Sequence, residues 1–211
     1  PPEQSLEWNE AGVDGMARFL RRLWTQVHRH AAEGAAPALD VAALDAGQKA
    51  LRRKTHETIG KVGDDYGRRH SFNTAIAAVM ELMNALAKFD DASAQGRAVR
   101  HEALQAIVLM LNPITPHASH ALWQVLGHGE TLLEDQAFPQ ADSAALVRDA
   151  VTLAVQVNGK LRGTLEVAAD APREQVEALA LAEPNAAKFL EGLAVRRIII
   201  VPGKIVNIVA A

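Results

Sequence analysis

The chain has 211 residues, 49% of them apolar, and a formal net charge of -3. That length supports one large or two modest cored domains, and the balance excludes both a disordered polyelectrolyte and an overall polyanion binder. There is no cysteine and no apolar run of about eighteen residues, so disulfides, thiolate metal sites and a membrane-spanning helix are excluded.

A first helix is predicted from near Val13, with Phe19, Leu20, Leu23, Trp24 and Val27 recurring at three and four. Gly34 to Pro37 breaks it. A second helix is predicted from about Leu44 to Tyr66, with Leu51, Thr55, Ile59, Val62 and Tyr66 inward and Lys49, Arg52, Arg53, His56 and Gly60 on another face. Ser71 is a candidate N-cap for a third helix, Phe72 to Phe89, apolar on almost every side and therefore expected at the centre of a bundle. A fourth is predicted over Arg97 to Leu111. Thr115-Pro116 marks the start of a fifth, which runs to Leu126. The turn-rich stretch Gly127 to Ser143 is the linker candidate.

Two hairpins follow. Asn158-Gly159 and Pro202-Gly203 each interrupt alternating apolar residues, and Asn-Gly is a strong hairpin signal because both residues tolerate φ > 0. Between them, Asp170-Ala-Pro172 marks a helix start, and Pro184 opens a shorter helix closed by Gly192. The expected fold class is α plus α+β: an antiparallel helix bundle over residues 1–142, then a small β-β-α-β-β module over residues 150–211.

Signatures for bond chemistry are absent. GKLRG at Gly159 to Gly163 lacks phosphate-loop spacing, and PGK at Pro202 to Lys204 is a turn. His117 and His120 stand three apart but have no third metal ligand nearby, so they read as surface or capping histidines. Asp64-Asp65 and Asp90-Asp91 are adjacent, so their side chains diverge. No cofactor or metal is expected in this chain.

Binding is better supported. Lys49 to Arg69 holds seven Lys/Arg against three acids. Lys49, Arg52, Arg53, Arg68 and Arg69 therefore form a candidate phosphate-contacting face, the alternative being a solvated helix with pairs such as Arg53–Glu57 and Lys61–Asp65. In the sheet module the candidates are Lys160, Arg162, Arg196, Arg197 and Lys204, the alternative being protection of strand edges by charge.

RFLRRLW, ALRRKTHETIGKVGDD, FNTAIAAVMELMN, LNPITPH, LW, VQVNGKLRG and VRRIIIVPGKIVNIV occur in that order. Together they resemble the C-terminal part of bacterial-type leucyl-tRNA synthetases, which are class I ligases. The family usually has acidic residues after TPH, where this chain has Ala118, Ser119, His120 and Ala121. The resemblance implies a helical anticodon-binding-type domain followed by a C-terminal tRNA-binding domain. Implied partners are leucine tRNA and the catalytic and editing domains of the same polypeptide, with no membrane. ATP and Mg are implied for the intact enzyme only, because its nucleotide-binding signatures are missing here. The Pro1-Pro2 start without Met fits a piece of a longer cytoplasmic protein. The alternatives are a protein–protein docking module or the same region of a valyl-, isoleucyl- or methionyl-tRNA synthetase.

Overall fold

The structure, a computed structural model, describes residues 7, 9–147, 150–169 and 171–211. Pro1, Pro2 and Asp170, which enter the sequence-based expectations, lie outside the described residues. The chain divides into two compact units, one ending at Leu146 and one starting at Val147.

The first unit is a bundle of α1 (Glu10–Ala32), α2 (Ala46–Gly67), α3 (Phe72–Lys88), α4 (Ala94–Leu111) and α5 (Pro116–Trp123). Its helix starts follow capping chemistry. Asn9 Oδ1 accepts from Gly12 N at 3.1 Å, and Ser93 Oγ accepts from Gly96 N at 3.0 Å. Asp45 and Gln48 form a reciprocal capping box. Ser71 and Thr115 make no side-chain cap; Ser71 Oγ instead donates to Arg69 O at 3.3 Å.

The central helix is α4, not α3. Residues 98, 99, 103, 104, 106, 107, 108, 110 and 111 of α4 are buried, which covers every side of the helix. On α3 only the face of Ala75, Ala78, Val79, Leu82, Met83 and Leu86 is buried, while Glu81, Asn84 and Ala87 meet solvent. Overall apolarity misled here because α3 carries alanines, which an exposed face accepts at little cost. The segment after α5 is not a linker. Gly127, at φ +101°, ends a wide turn, and the chain then wraps the bundle with Leu133 fully buried and Phe138 packed on the core.

One seam of the bundle is polar. His30 Nε2 and His101 Nδ1 are 3.1 Å apart, and the His128 ring stacks on Trp123 with centroids 3.8 Å apart. Burial is the largest cause lowering the pKa of all three histidines, reaching about 4 for His101.

The second unit is a four-stranded sheet of β1 (Ala150–Val157), β2 (Lys160–Ala168), β3 (Val195–Val201) and β4 (Ile205–Ala210), in the order β2-β1-β4-β3. β1 and β4 run parallel at the centre and both hairpins are antiparallel. Helices α6 (Arg173–Ala182) and α7 (Pro184–Leu190) cover one face, over Leu153, Val155, Val157, Val206 and Ile208. Asn158 and Gly159 have φ +50° and +78°, the left-handed pair this turn demands. Asn158 does more than turn. Its Nδ2 donates to Ala210 O at 2.9 Å, its Oδ1 accepts from Ala210 N at 3.0 Å, and the hairpin tip is thereby tied to the end of β4.

Asn158→Gly keeps the turn but removes both bonds to Ala210, so the sheet unit loses about 1–2 kcal/mol, read by denaturant unfolding. The histidines are neutral in the fold and would bind protons below 6.5 once unfolded. Their contribution is therefore complete above pH 6.5 and declines as pH falls toward 4. Thermal melts at pH 7 and pH 5 should diverge more for the native chain than for His101→Gln.

Candidate nucleic-acid interface

Basic side chains in this chain sort by what they face. α2 packs against both α3 and α4, so two of its sides are buried. Arg52 lies on the side turned to α4 and is only 7% exposed. Its Nε donates to both Glu102 oxygens at 3.1 and 3.2 Å, and its Nη2 donates to Asp142 Oδ2 at 2.9 Å. His56, also buried, accepts from Asp142 N at Nδ1 (3.1 Å), so its Nε2 carries the proton and donates to Glu102 Oε1 at 3.2 Å. Burial acts to raise the Glu102 carboxyl, but hydrogen bonds from His56 and Arg52 outweigh it and hold it below its usual value. The Arg52 hydrogen bond, followed by the Ala144 N–H, does the same for Asp142. Arg52 is therefore corrected from a phosphate clamp to an internal cation that fastens the wrapping segment to α2 and α4.

The other candidates on α2 stay outside. Lys49 is exposed and Arg53 half-buried. Arg68 clasps Asp64 with both prongs, at 2.6 and 2.8 Å. Arg69 Nη1 reaches Asp65 Oδ1 at 3.1 Å, while Lys61 holds the other oxygen of that fully buried carboxylate at 2.8 Å. Arg68 and Arg69 keep 75% and 50% of their side-chain surface, so each can still present N–H groups outward. Their charge, however, is half-spent on Asp64 and Asp65.

A stronger basic ridge lies on α1. Arg18, Arg21, Arg22 and Arg29 are all exposed, and at 100° per residue they fall within one third of the helix circumference. Among the described residues Arg18, Arg21 and Arg29 are in no ion pair. Trp24, 43% exposed and stacked on His28 at 4.6 Å, lies beside them. In the sequence this stretch stands out for its apolar stripe; the complementary spacing of the arginines was the signal that could have found the ridge.

In the sheet unit, strand direction separates the candidates. β1 and β4 are parallel, so the Asn158-Gly159 turn and the Pro202-Gly203 turn lie at opposite ends of the sheet. Lys160 and Arg162 share the first end with Arg196 and Arg197, which open β3 at the end of β4. Lys204 stands at the other end. Lys160 and the Arg196-Arg197 pair are on opposite edges, roughly 15 Å apart at the usual strand spacing. Register shifts at Arg162 and at Arg196 mark bulges, which re-aim side chains at strand ends. Arg162 lies over the Phe189 ring at 3.5 Å, a cation–π contact that fixes its guanidinium. Arg173 is held by Glu177 at 2.7 Å and Ile198 O at 3.2 Å, and borders an open cleft of about 520 Å³ with Arg196 and Arg197.

The histidines considered as ligands have other surroundings. His117 is exposed, and His120 Nδ1 accepts from Leu133 N at 3.3 Å. Among the described residues, no group of three His, Asp or Glu could hold a metal ion, and no helix is long and apolar enough to cross a membrane.

Residues 48–178 match the family described as the anticodon-binding domain of tRNA ligase. Over its whole length the chain is 91% identical to a leucine–tRNA ligase of Stenotrophomonas maltophilia (strain R551-3), of which it covers 24%. It is 86% identical to the leucine–tRNA ligase of Xanthomonas axonopodis pv. citri (strain 306), again covering 24% of that protein. The chain thus spans about a quarter of the length of these relatives. Its structure resembles that of the Agrobacterium radiobacter K84 agnB2 LeuRS in a ternary complex with tRNA and LeuAMS. The TM-score is 0.80 at 26% identity, over 98% of this chain and 27% of that one.

Removing the inward arginine tests the sorting. Arg52→Ala leaves the half-buried Glu102 with His56 alone, so the bundle loses about 1.5–3 kcal/mol. Arg53→Ala, on the outer side, shifts the melting temperature little. A comparably stable Arg52→Ala protein would return Arg52 to the surface set.

Proposed function

Because the chain belongs to the family of anticodon-binding domains of tRNA ligases and corresponds to the C-terminal quarter of leucine–tRNA ligases, we propose that it holds and positions leucine tRNA through phosphate and shape contacts. The observation that carries this is the α1 ridge: four outward arginines on one helical face of a chain whose net charge is negative. A local field of that kind draws a polyanion despite the overall charge of -3. Arg68 and Arg69 on the bundle, and Lys160, Arg162, Arg196 and Arg197 at one end of the sheet, add further phosphate contacts. Lys49, Arg53 and Lys204 are peripheral members. Sugar-phosphate contacts of this sort fix register and orientation, and RNA helices are recognised largely through shape and backbone. In the longer ligase, the ATP-dependent attachment of leucine belongs to domains outside this chain, and those domains are its covalent partners.

The test is tRNA binding by fluorescence anisotropy across a salt series. Replacing Arg18, Arg21, Arg22 and Arg29 by alanine should weaken binding and flatten the log–log salt slope by up to about 3, at roughly 0.7–0.9 for each phosphate no longer neutralised. An Arg196/Arg197→Ala variant should lose up to about 1.5 of slope. An unchanged slope in the α1 variant rejects the ridge as a tRNA contact.

A further inference from the structure

A cleft of about 410 Å³ opens beside α1, against the end of α3 and the first turns of α4. Two of its polar atoms, Gln26 Oε1 and His30 Nδ1, are buried and have no protein partner among the described residues. His30 is 3% exposed and its other ring nitrogen is committed to His101. Gln26 and His30 are one helical turn apart, so their unmet atoms rise along the same wall of the cleft. Unmet buried polar atoms are unfavourable, and a ligand carrying matching groups relieves them. Leu86 and Phe89 supply apolar surface. Arg29 and Arg100 stand among the lining residues, with Arg100 anchored by Phe89 O at 2.9 Å. Of the two acids in the lining, Glu33 is paired with Arg97 at 3.2 Å, and Asp90 follows Phe89.

The cleft does not stand alone. Gln26 and Ala87 also border a neighbouring hollow of about 290 Å³ that contains Arg21 and Arg22. The arginine ridge of α1 therefore leads directly to the two unpartnered atoms. Apolar side chains, unmet polar atoms in the wall and cations along the approach are what an unstacked nucleotide requires.

We infer that this cleft seats a nucleobase whose exocyclic amino group donates to Gln26 Oε1, with its ring against Leu86 and Phe89 and its phosphate at Arg29 and Arg100. Burial, the largest cause, lowers the His30 pKa, so the ring is neutral near pH 7 and Nδ1 offers either a lone pair or an N–H according to tautomer. Adenine meets both cases, since its amino group adjoins a ring nitrogen that accepts. The nucleotide comes either from solution or from the tRNA itself; the second source rests on the tRNA-holding function proposed above.

Titration of the 211-residue chain with AMP, followed by calorimetry, tests the inference. Saturable binding is expected, about tenfold weaker for purine riboside 5′-monophosphate, which lacks the amino group, and about tenfold weaker for AMP with Gln26→Leu. Gln26→Glu, which keeps an acceptor, should retain the preference for AMP over its analogue. Absence of saturable AMP binding, equal binding of the analogue, or a folded Gln26→Leu protein with native affinity overturns it. Competition then distinguishes the sources. If AMP and Gln26→Leu both weaken tRNA binding, the base belongs to the tRNA; if tRNA binding is untouched, the site takes a free nucleotide. Failure of the native chain to bind tRNA would sink the tRNA-holding function while leaving the AMP result standing.

Discussion

Glu102 is a carboxylate on the most buried helix of the bundle, and much of the first unit is organised around keeping it charged. An ionised carboxylate at such a site is tolerable only with partners in good geometry. Arg52 and His56 supply them, and Asp142 completes the set by taking the remaining prong of Arg52. Four side chains from α2, α4 and the wrapping segment thus share one network. Breaking one member strands the others, which makes the arrangement of these three elements cooperative rather than merely packed.

The sheet unit is held by a different kind of constraint. Its centre is a parallel pair, β1 and β4, drawn from opposite ends of the unit. Parallel neighbours need a crossover, and α6 and α7 provide it while covering one face. Register is then pinned at the hairpin tip, where the Asn158 amide acts as one more residue of backbone pairing with Ala210. Gly163 belongs to the same design. A Cβ there would lie 2.4 Å from the Glu183 carboxylate that caps α7 through Ala186 N.

How much of this was legible depended on whether a residue's role was local. Hairpin turns and the five bundle helices rest on nearest-neighbour chemistry, so spacing and residue type disclosed them. Arg52 was illegible as an internal cation because its partners lie 50 and 90 residues away. The same holds for the segment 127–143, whose glycines and polar residues read as a linker although Leu133 is wholly buried. The α1 ridge lay in plain view as RFLRR, yet the apolar stripe on the same helix is the louder signal. Opposite ends for Lys160 and Lys204 could come only from the parallel pairing, which no local pattern encodes.

Charge, finally, acts here by placement rather than by sum. At about 0.1 M salt the Debye length is about 10 Å, so an exposed arginine is felt mainly by a phosphate near it. Several acids of the chain are spent inward or beside their own bases, as with Glu102, Asp142, Asp64 and Asp65. Among the described residues the α1 arginines are in no ion pair, so cations outnumber acids on the face they share with Asp14, in a molecule of negative net charge. The proposed reading of a tRNA backbone needs only that: cations spaced along a rigid helix, with the energetic burden of the inward charges carried elsewhere in the fold.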